Sequence, residues 1–379
     1  MAFDARNVAE AFPPGDFIKE ELEARGWRQE DLAEIMGRAP AIISNLINGK
    51  QSISLEIASD LAAVFGTTAQ LWLNLESAYR LFLGDPVNDT ITRKARLFEI
   101  APVKDIIRRG WIQPSKEIDV LEERVFAFLG IISSGEKPKP VFAAKSATTI
   151  QNPVQIAWVS RAMGIAPAVQ AAKFSEKSFD NALVRLATLQ ANPEDIRHVP
   201  RVLAEGGVRL LVIESLPKGA IDGACFWLDG SSPVIAMSMR YDRIDHFWYI
   251  LLHECGHIYN RDALNDDPLI DLDLVGDKAV PLSEKSENEK NADLFAVEHL
   301  VEKREMENFI TRTRPLYSKQ KIKNFAARIK VHPAIVLGQL QHRGEVEWNH
   351  SREMLVKVRD ILTSSALTDG WGHQLPTTP

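Results

Sequence analysis

A chain of 379 residues exceeds the usual span of one hydrophobic core, so two or more domains are expected. Apolar residues at 45% and charged residues at 25% give the balance of a soluble globular protein and exclude wholesale disorder. A net charge of -6 excludes global attraction to nucleic acid and leaves any DNA contact to a local surface.

The first residues lack a basic flank followed by an apolar run, and no stretch approaches the roughly 18 apolar residues of a membrane helix. The expectation is a cytoplasmic protein with no membrane partner. Two cysteines, Cys225 and Cys255, are too few to staple such a chain and are expected as reduced thiols.

Short amphipathic helices open the chain. Phe17, Ile18 and Leu22 recur at helical spacing before Gly26; Leu32, Ala33 and Met36 mark a second helix, and Ile42, Ile43, Leu46 and Ile47 a third after Gly37. Ser54 caps a fourth with Ile57, Leu61 and Phe65 on one face, and a fifth carries Leu71, Trp72 and Leu75. The Gln29 to Asn48 segment fits a helix-turn-helix, whose second helix enters the major groove by its N-terminal end. Arg38, Ser44 and Asn45 are the candidates for base or phosphate contact, with Arg28, Gln29 and Lys50 placed for the backbone. Ala39-Pro40-Ala41 brings little hydrogen-bonding capacity to the groove, and residues 1 to 83 hold 7 Lys and Arg against 12 Asp and Glu. DNA binding is therefore expected of a dimer, the other reading being a helical module that binds protein.

From Gly84 to Glu205 the chain reads as a helical connector, with Lys137-Pro138-Lys139-Pro140 as a stiff linker. Beyond Gly206-Gly207, the runs Val208 to Glu214, Gly223 to Leu228 and Val234 to Met239 are predicted strands, the last two joined by the turn Asp229 to Ser232. Helices are predicted from about Ile244 to Asn260 and from about Ser286 to Lys303, and residues 363 to 379 as a polar tail.

His253-Glu254-Cys255-Gly256-His257 places two histidines four apart, on one face if the segment is helical. The apolar run His246 to Leu252 would bury that helix. Zinc held for catalysis needs a third protein ligand and an open fourth position. Glu289 is the candidate, because Asp293 lies one turn along and can receive the outer ring N–H of a ligating histidine. Glu284 and Glu287 are rivals without such a partner. Zn2+ there, or Mn2+, would supply Lewis acidity, while Glu254 takes a proton and returns it to the leaving amine. Tyr241, His246, Tyr259 and His332 are candidates for oxyanion stabilisation. Between His257 and Glu289, Asp262, Asp266, Asp267, Asp271, Asp273 and Asp277 read as a solvated acidic loop, with a seat for a basic protein substrate as the alternative.

Two resemblances follow. Pro13 to Leu83, notably Arg28-Gln29-Glu30-Asp31-Leu32-Ala33 and Ile47-Asn48-Gly49-Lys50, resembles the XRE-type helix-turn-helix of HigA-like antitoxins. Arg243-Ile244-Asp245 through His257, with Glu289, Ala292-Asp293 and Phe295-Ala296, resembles ImmA/IrrE metallo-endopeptidases, extending into Val331 to Val336 and Gln341-His342. The resemblance implies a minimal gluzincin-like fold, ligation by His253, His257 and Glu289, catalysis by Glu254, and cleavage of a transcriptional repressor. The expected fold is mainly α with a small sheet (α+β). It divides into a helix-turn-helix domain (1–83), a connector (84–205), a metallopeptidase domain (206–362) and a tail (363–379). The expected function is a regulatory zinc metallopeptidase that cleaves a repressor or antitoxin. The alternative is a HigA-like antitoxin and autorepressor that binds DNA and a toxin, its peptidase domain a scaffold or sensor.

Overall fold

The computed structural model describes residues 12–83, 89–133, 152–264, 268–276, 281–373 and 375. The Lys137 to Pro140 linker, the acidic positions Asp266, Asp267 and Asp277, and most of the last six residues lie outside them. The chain divides into two compact units, Met1–Asp89 and Thr90–Pro379.

The first unit holds α1 (Pro14–Arg25), α2 (Gln29–Ile35), α3 (Pro40–Ile47), α4 (Leu55–Phe65) and α5 (Ala69–Leu83). The amphipathic spacing buries Ile18, Leu22, Leu32, Ile43, Leu61 and Trp72 in one core. Ser54 caps α4 by accepting a hydrogen bond from the Ile57 amide at 3.3 Å. Gly37 takes a left-handed φ of 62° in the turn between α2 and α3, which a side chain would strain.

The second unit begins with α6 (Asp89–Ile100), α7 (Val103–Arg108), α8 (Ile118–Leu129), α9 (Pro153–Ile165), α10 (Glu176–Thr188) and α11 (Val199–Glu205). Three strands follow, β1 (Arg209–Ile213), β2 (Ile221–Trp227) and β3 (Pro233–Met237), then α12 (Ile244–Tyr259) and β4 (Leu269–Leu272). Helices α13 (Glu287–Leu300), α14 (Lys303–Thr313), α15 (Lys319–Ile329), α16 (Pro333–His342) and α17 (Arg359–Thr363) precede β5 (Leu367–Asp369). The class is α+β, mainly helical around one small sheet, as expected.

The sheet runs β4-β2-β3-β1-β5, with β1 parallel to β3 and β5, and β2 antiparallel to β3 and β4. Alternation along the strands sends Leu210, Val212, Cys225, Ile235 and Met237 into a core with α10 to α16, and Leu211, Ile213, Ala224, Phe226, Ala236 and Ile270 into a second core with α6 to α9. Burial on both faces explains why the strands read as continuous apolar runs.

Two expectations are corrected. The 84–205 region is no mere connector, because α6 to α9 cover one whole face of the sheet and bury Trp158 completely. The 363–379 region is not simply a tail either: Leu367–Asp369 pair with β1, and Asp369 meets Arg161 at 2.5 Å with side-chain exposures of 2% and 3%. Such a pair persists only because each buried charge compensates the other. Cys225 and Cys255 are free and buried, and among the described residues no helix is long and apolar enough to cross a membrane.

Candidate functional site

Helix α12 carries the two histidines. All of its residues but Tyr249 and Tyr259 are buried, a consequence of wedging between the sheet and α13. Gly256 permits the close approach: a Cβ there would stand 3.0 Å from the Ala292 Cα of α13. That contact draws Glu289 to the histidine pair.

His253 and His257 project together, their Nε2 atoms 3.1 Å apart. The two Glu289 carboxylate oxygens lie 3.3 Å from His253 Nε2 and 3.7 Å from His257 Nε2. Asp271 of β4 joins them, its Oδ2 at 3.5 and 3.7 Å from the same nitrogens. One atom from each of the four lies within 4.8 Å of the others. Four ligands at about 2.0–2.2 Å from a tetrahedral ion stand roughly 3.3–3.6 Å from one another, so these spacings suit one divalent cation. The donor chemistry also fits, two imidazoles and two carboxylates converging with the Asp271 Oδ2 lacking a hydrogen-bond partner.

The outer nitrogens are held as well. Asp262 Oδ2 lies 2.9 Å from His257 Nδ1, and Asp293 Oδ1 3.0 Å from His253 Nδ1 in an ion-pair contact that is not aligned as a hydrogen bond. Asp293 also receives Tyr249 Oη and Lys285 Nζ at 2.7 Å each. Burial works against the Asp293 carboxylate, but His253 and Lys285 outweigh it and hold its pKa down to about 2.

Glu254 lies beside the histidines, fully buried, and neither carboxylate oxygen has a hydrogen-bond partner among the described residues. Burial first, then the Asp271 charge, pushes its pKa well up. Its room comes from Gly223 on β2, where a Cβ would fall 1.9 Å from Oε1. In the sheet register Gly223 is directly opposite Asp271. An apolar cavity of about 220 Å³ has Tyr249, His246, Leu274, Leu300, Ile335 and Trp348 among its walls; none of His253, Glu254, His257, Asp271 and Glu289 lines it, and Tyr249, which bonds Asp293, connects it to the cluster. Burial pushes the His246 imidazole down to about 4, leaving it neutral near pH 7.

Thus His253, Glu254, His257, Glu289 and Asp293 come together. Glu284 and Glu287 are exposed and outside the cluster. Of the proposed oxyanion groups, His332 caps α16 through the Ala334 amide and Tyr259 packs against Phe295. Tyr241 stacks edge-on against His246. Sequence reasoning missed Asp271 and Asp262 as site residues, assigning both to a solvated loop, and missed Tyr249 and Gly223. The only prior signal for Asp262 was its place five residues beyond His257.

In the first unit, Gln29 begins α2, Arg28 precedes it, and Ser44 and Asn45 lie on α3. Arg28, Gln29, Asn45 and Lys50 are exposed and Ser44 half-buried. Arg38 is instead committed to α4, bonding Asp60 at 2.5 Å and Glu56 at 2.8 Å.

Residues 18–72 match the helix-turn-helix family model. The chain is 36% identical over 84 residues to the uncharacterized HTH-type transcriptional regulator YddM of Escherichia coli (strain K12), spanning 22% of this chain and 88% of that protein. It is 41% identical over 69 residues to the antitoxin HigA-1 of Vibrio cholerae, spanning 18% and 65% respectively. Among solved structures, an addiction module antidote protein of the HigA family from Coxiella burnetii is 33% identical, with 19% of this chain and 79% of that chain covered and a TM-score of 0.19.

Proposed function

Because the chain belongs to the helix-turn-helix family through its N-terminal unit, we propose that it is a DNA-binding regulator of the HigA or antidote kind whose second unit is a metal-dependent peptidase. Its substrate is a repressor or antitoxin protein, and its own chain is within that class. The observation that carries the peptidase reading is the convergence of His253, His257 and Glu289 beside a buried, unpartnered Glu254.

A divalent ion held by those residues supplies Lewis acidity toward water and the scissile carbonyl. The chain's own residues do the rest. Asp262 orients the His257 ring through its hydrogen bond to Nδ1, and Asp293 faces Nδ1 of His253 at 3.0 Å, so that both Nε2 atoms are turned inward. Glu254 has no competing hydrogen-bond partner; burial and the Asp271 charge favour its protonated form, and the charge of a bound ion would offset them, so that Glu254 accepts a proton and delivers it to the departing amine. The apolar cavity beside Tyr249 receives an apolar substrate side chain.

A second reading has its own support. Asp271 adds a fourth protein ligand, and sites closed by four protein ligands are structural or sensory more often than catalytic. In that reading the unit is the scaffold or metal sensor of an autorepressor that also binds a toxin.

The deciding experiment begins with elemental analysis of the dialysed chain beside His253→Ala and Glu289→Ala. The expected result is about one zinc or manganese ion per chain, lost or weakened in both variants. Glu254→Gln is then compared with wild type for relief of repression at the chain's own promoter in cells. Retained ion with lost relief supports the peptidase; full relief by Glu254→Gln leaves the sensor reading. No ion under any loading condition removes the peptidase and the metal sensor and leaves the unit as the scaffold of a DNA- and toxin-binding antitoxin.

A further inference from the structure

The sheet places β4 in an unusual position relative to the site. It is the edge strand, four residues long, and pairs antiparallel with β2 through Ile221↔Leu272, Gly223↔Asp271, Ala224↔Ile270 and Cys225↔Leu269. A strand edge is a template for any extended peptide, because the main-chain groups bond whatever strand arrives and side-chain pockets select among arrivals. The β2 edge runs directly beside Glu254, which rests against Gly223. An extended peptide whose backbone must lie within reach of Glu254 and the two histidines therefore has its natural seat on β2, and β4 fills that seat.

Alternation fixes what β4 does there. Ile270 points into the core with α6 to α9, buried to 6% exposure. Its neighbour Asp271 points to the opposite face, where α12 lies, and is 2% exposed with an Oδ2 that has no hydrogen-bond partner. Beyond the strand, the Asp222 carboxylate accepts the Leu274 amide at 2.8 Å and Arg240 bonds Asp273 at 2.8 Å, pinning the strand's exit. Asp271 so placed occupies the position that catalysis requires to be open.

We propose that β4 is an internal occupant of a peptide-binding edge: it seats Asp271 on the ion as a displaceable fourth ligand, and an incoming extended segment replaces β4 on β2 and withdraws that carboxylate. The inference rests on the metal-peptidase reading above and names both its regulation and its substrate class. The displacing segment is extended, with apolar side chains two residues apart to fill the places of Ile270 and Leu272, and without an acidic residue between them.

Full-length protein loaded with Co2+ provides the test, since its visible bands report coordination and shift when acetohydroxamate binds an accessible position. Wild type is expected to bind one Co2+ with bands insensitive to acetohydroxamate. Asp271→Asn and Asp271→Ala are expected to keep one Co2+ and bind acetohydroxamate at least about tenfold more tightly. Ile270→Asp, which leaves all four ligands intact, is expected to open the site as well, because it unseats the strand from the opposite face. Acetohydroxamate binding to wild type as readily as to Asp271→Ala overturns the proposal. So does loss of Co2+ from both Asp271 variants, which makes Asp271 a fixed structural ligand, and so does a site still closed in folded Ile270→Asp. Failure of wild type to bind Co2+ at all is a different outcome, and refutes the metal-peptidase reading itself.

Discussion

Replacing Gly223 by alanine tests the packing that holds Glu254 in place. The added Cβ would lie 1.9 Å from Glu254 Oε1 and 2.9 Å from its Cδ, whereas ordinary contact begins near 3.4 Å. The carboxylate must therefore retreat by roughly 1.5 Å, and α12 has little room to yield, because it packs so closely on α13 that even a Cβ at Gly256 would stand 3.0 Å from the Ala292 Cα. Overpacking of this kind costs about 1–3 kcal/mol, or several degrees in the melting of a unit this size. Glu254→Ala alone, in metal-free protein, removes a buried carboxylate without a partner and is expected to be neutral or stabilising. The double variant then recovers most of the loss, so a thermodynamic cycle measured by denaturant unfolding after chelation should give a coupling of about 1–3 kcal/mol. Gly223→Ala should still bind one ion, while the displaced base lowers turnover about 100-fold. Effects of the two substitutions that add to within about 0.5 kcal/mol would refute the reasoning.

Asp262→Ala and Asp293→Ala should each weaken metal affinity about 10- to 100-fold, read by competition with a chromophoric chelator; an effect from Asp293 alone would remove Asp262 from the site. Burial pushes the Asp222 carboxyl up to about 6 despite Arg240, so the folded state holds its proton more tightly than the unfolded chain does. The stability this contributes is complete below about pH 3.8 and is lost as pH rises through 6, an amplitude on the order of 3 kcal/mol. Asp222→Asn should flatten that slope, and parallel pH profiles for the two proteins would sink the assignment. In the first unit, Lys50→Ala should reduce the salt slope of binding to the upstream DNA of its own gene by about 1, whereas Arg38→Ala should act mainly by lowering stability, because its guanidinium is committed to Asp60 and Glu56.

What the sequence revealed depended on whether one element carried the whole signal. His253, Glu254 and His257 lie on one helix, and Glu289 with Asp293 on another, so helical spacing alone exposes both sets. The five short helices of the first unit were legible for the same reason. Asp271 was not, because its role comes from a four-residue edge strand whose pairing partner, Gly223 of β2, lies 48 residues earlier, and nothing local separates that strand from an acidic loop. The β5 strand was hidden by its three-residue length and its distant parallel partner, and the covering role of α9 by an apolar face that a connector helix could equally show. Gly223 reads as an ordinary strand glycine until Glu254 is placed against it.

Charge balance links the edge strand to the base. With Asp271 and Glu289 both ligating, the charge of a divalent ion is already matched, and an ionised Glu254 would be a buried charge without compensation. Withdrawal of Asp271 leaves one unit of positive charge at the centre for Glu254 to face. Displacement of β4 would thus open a coordination position and give the catalytic carboxylate its counter-charge in the same movement. The two consequences have separate readouts, ligand access at the ion and turnover dependent on Glu254. A variant that gains the first without the second would show that Asp271 blocks the position while contributing nothing to the electrostatics of the base.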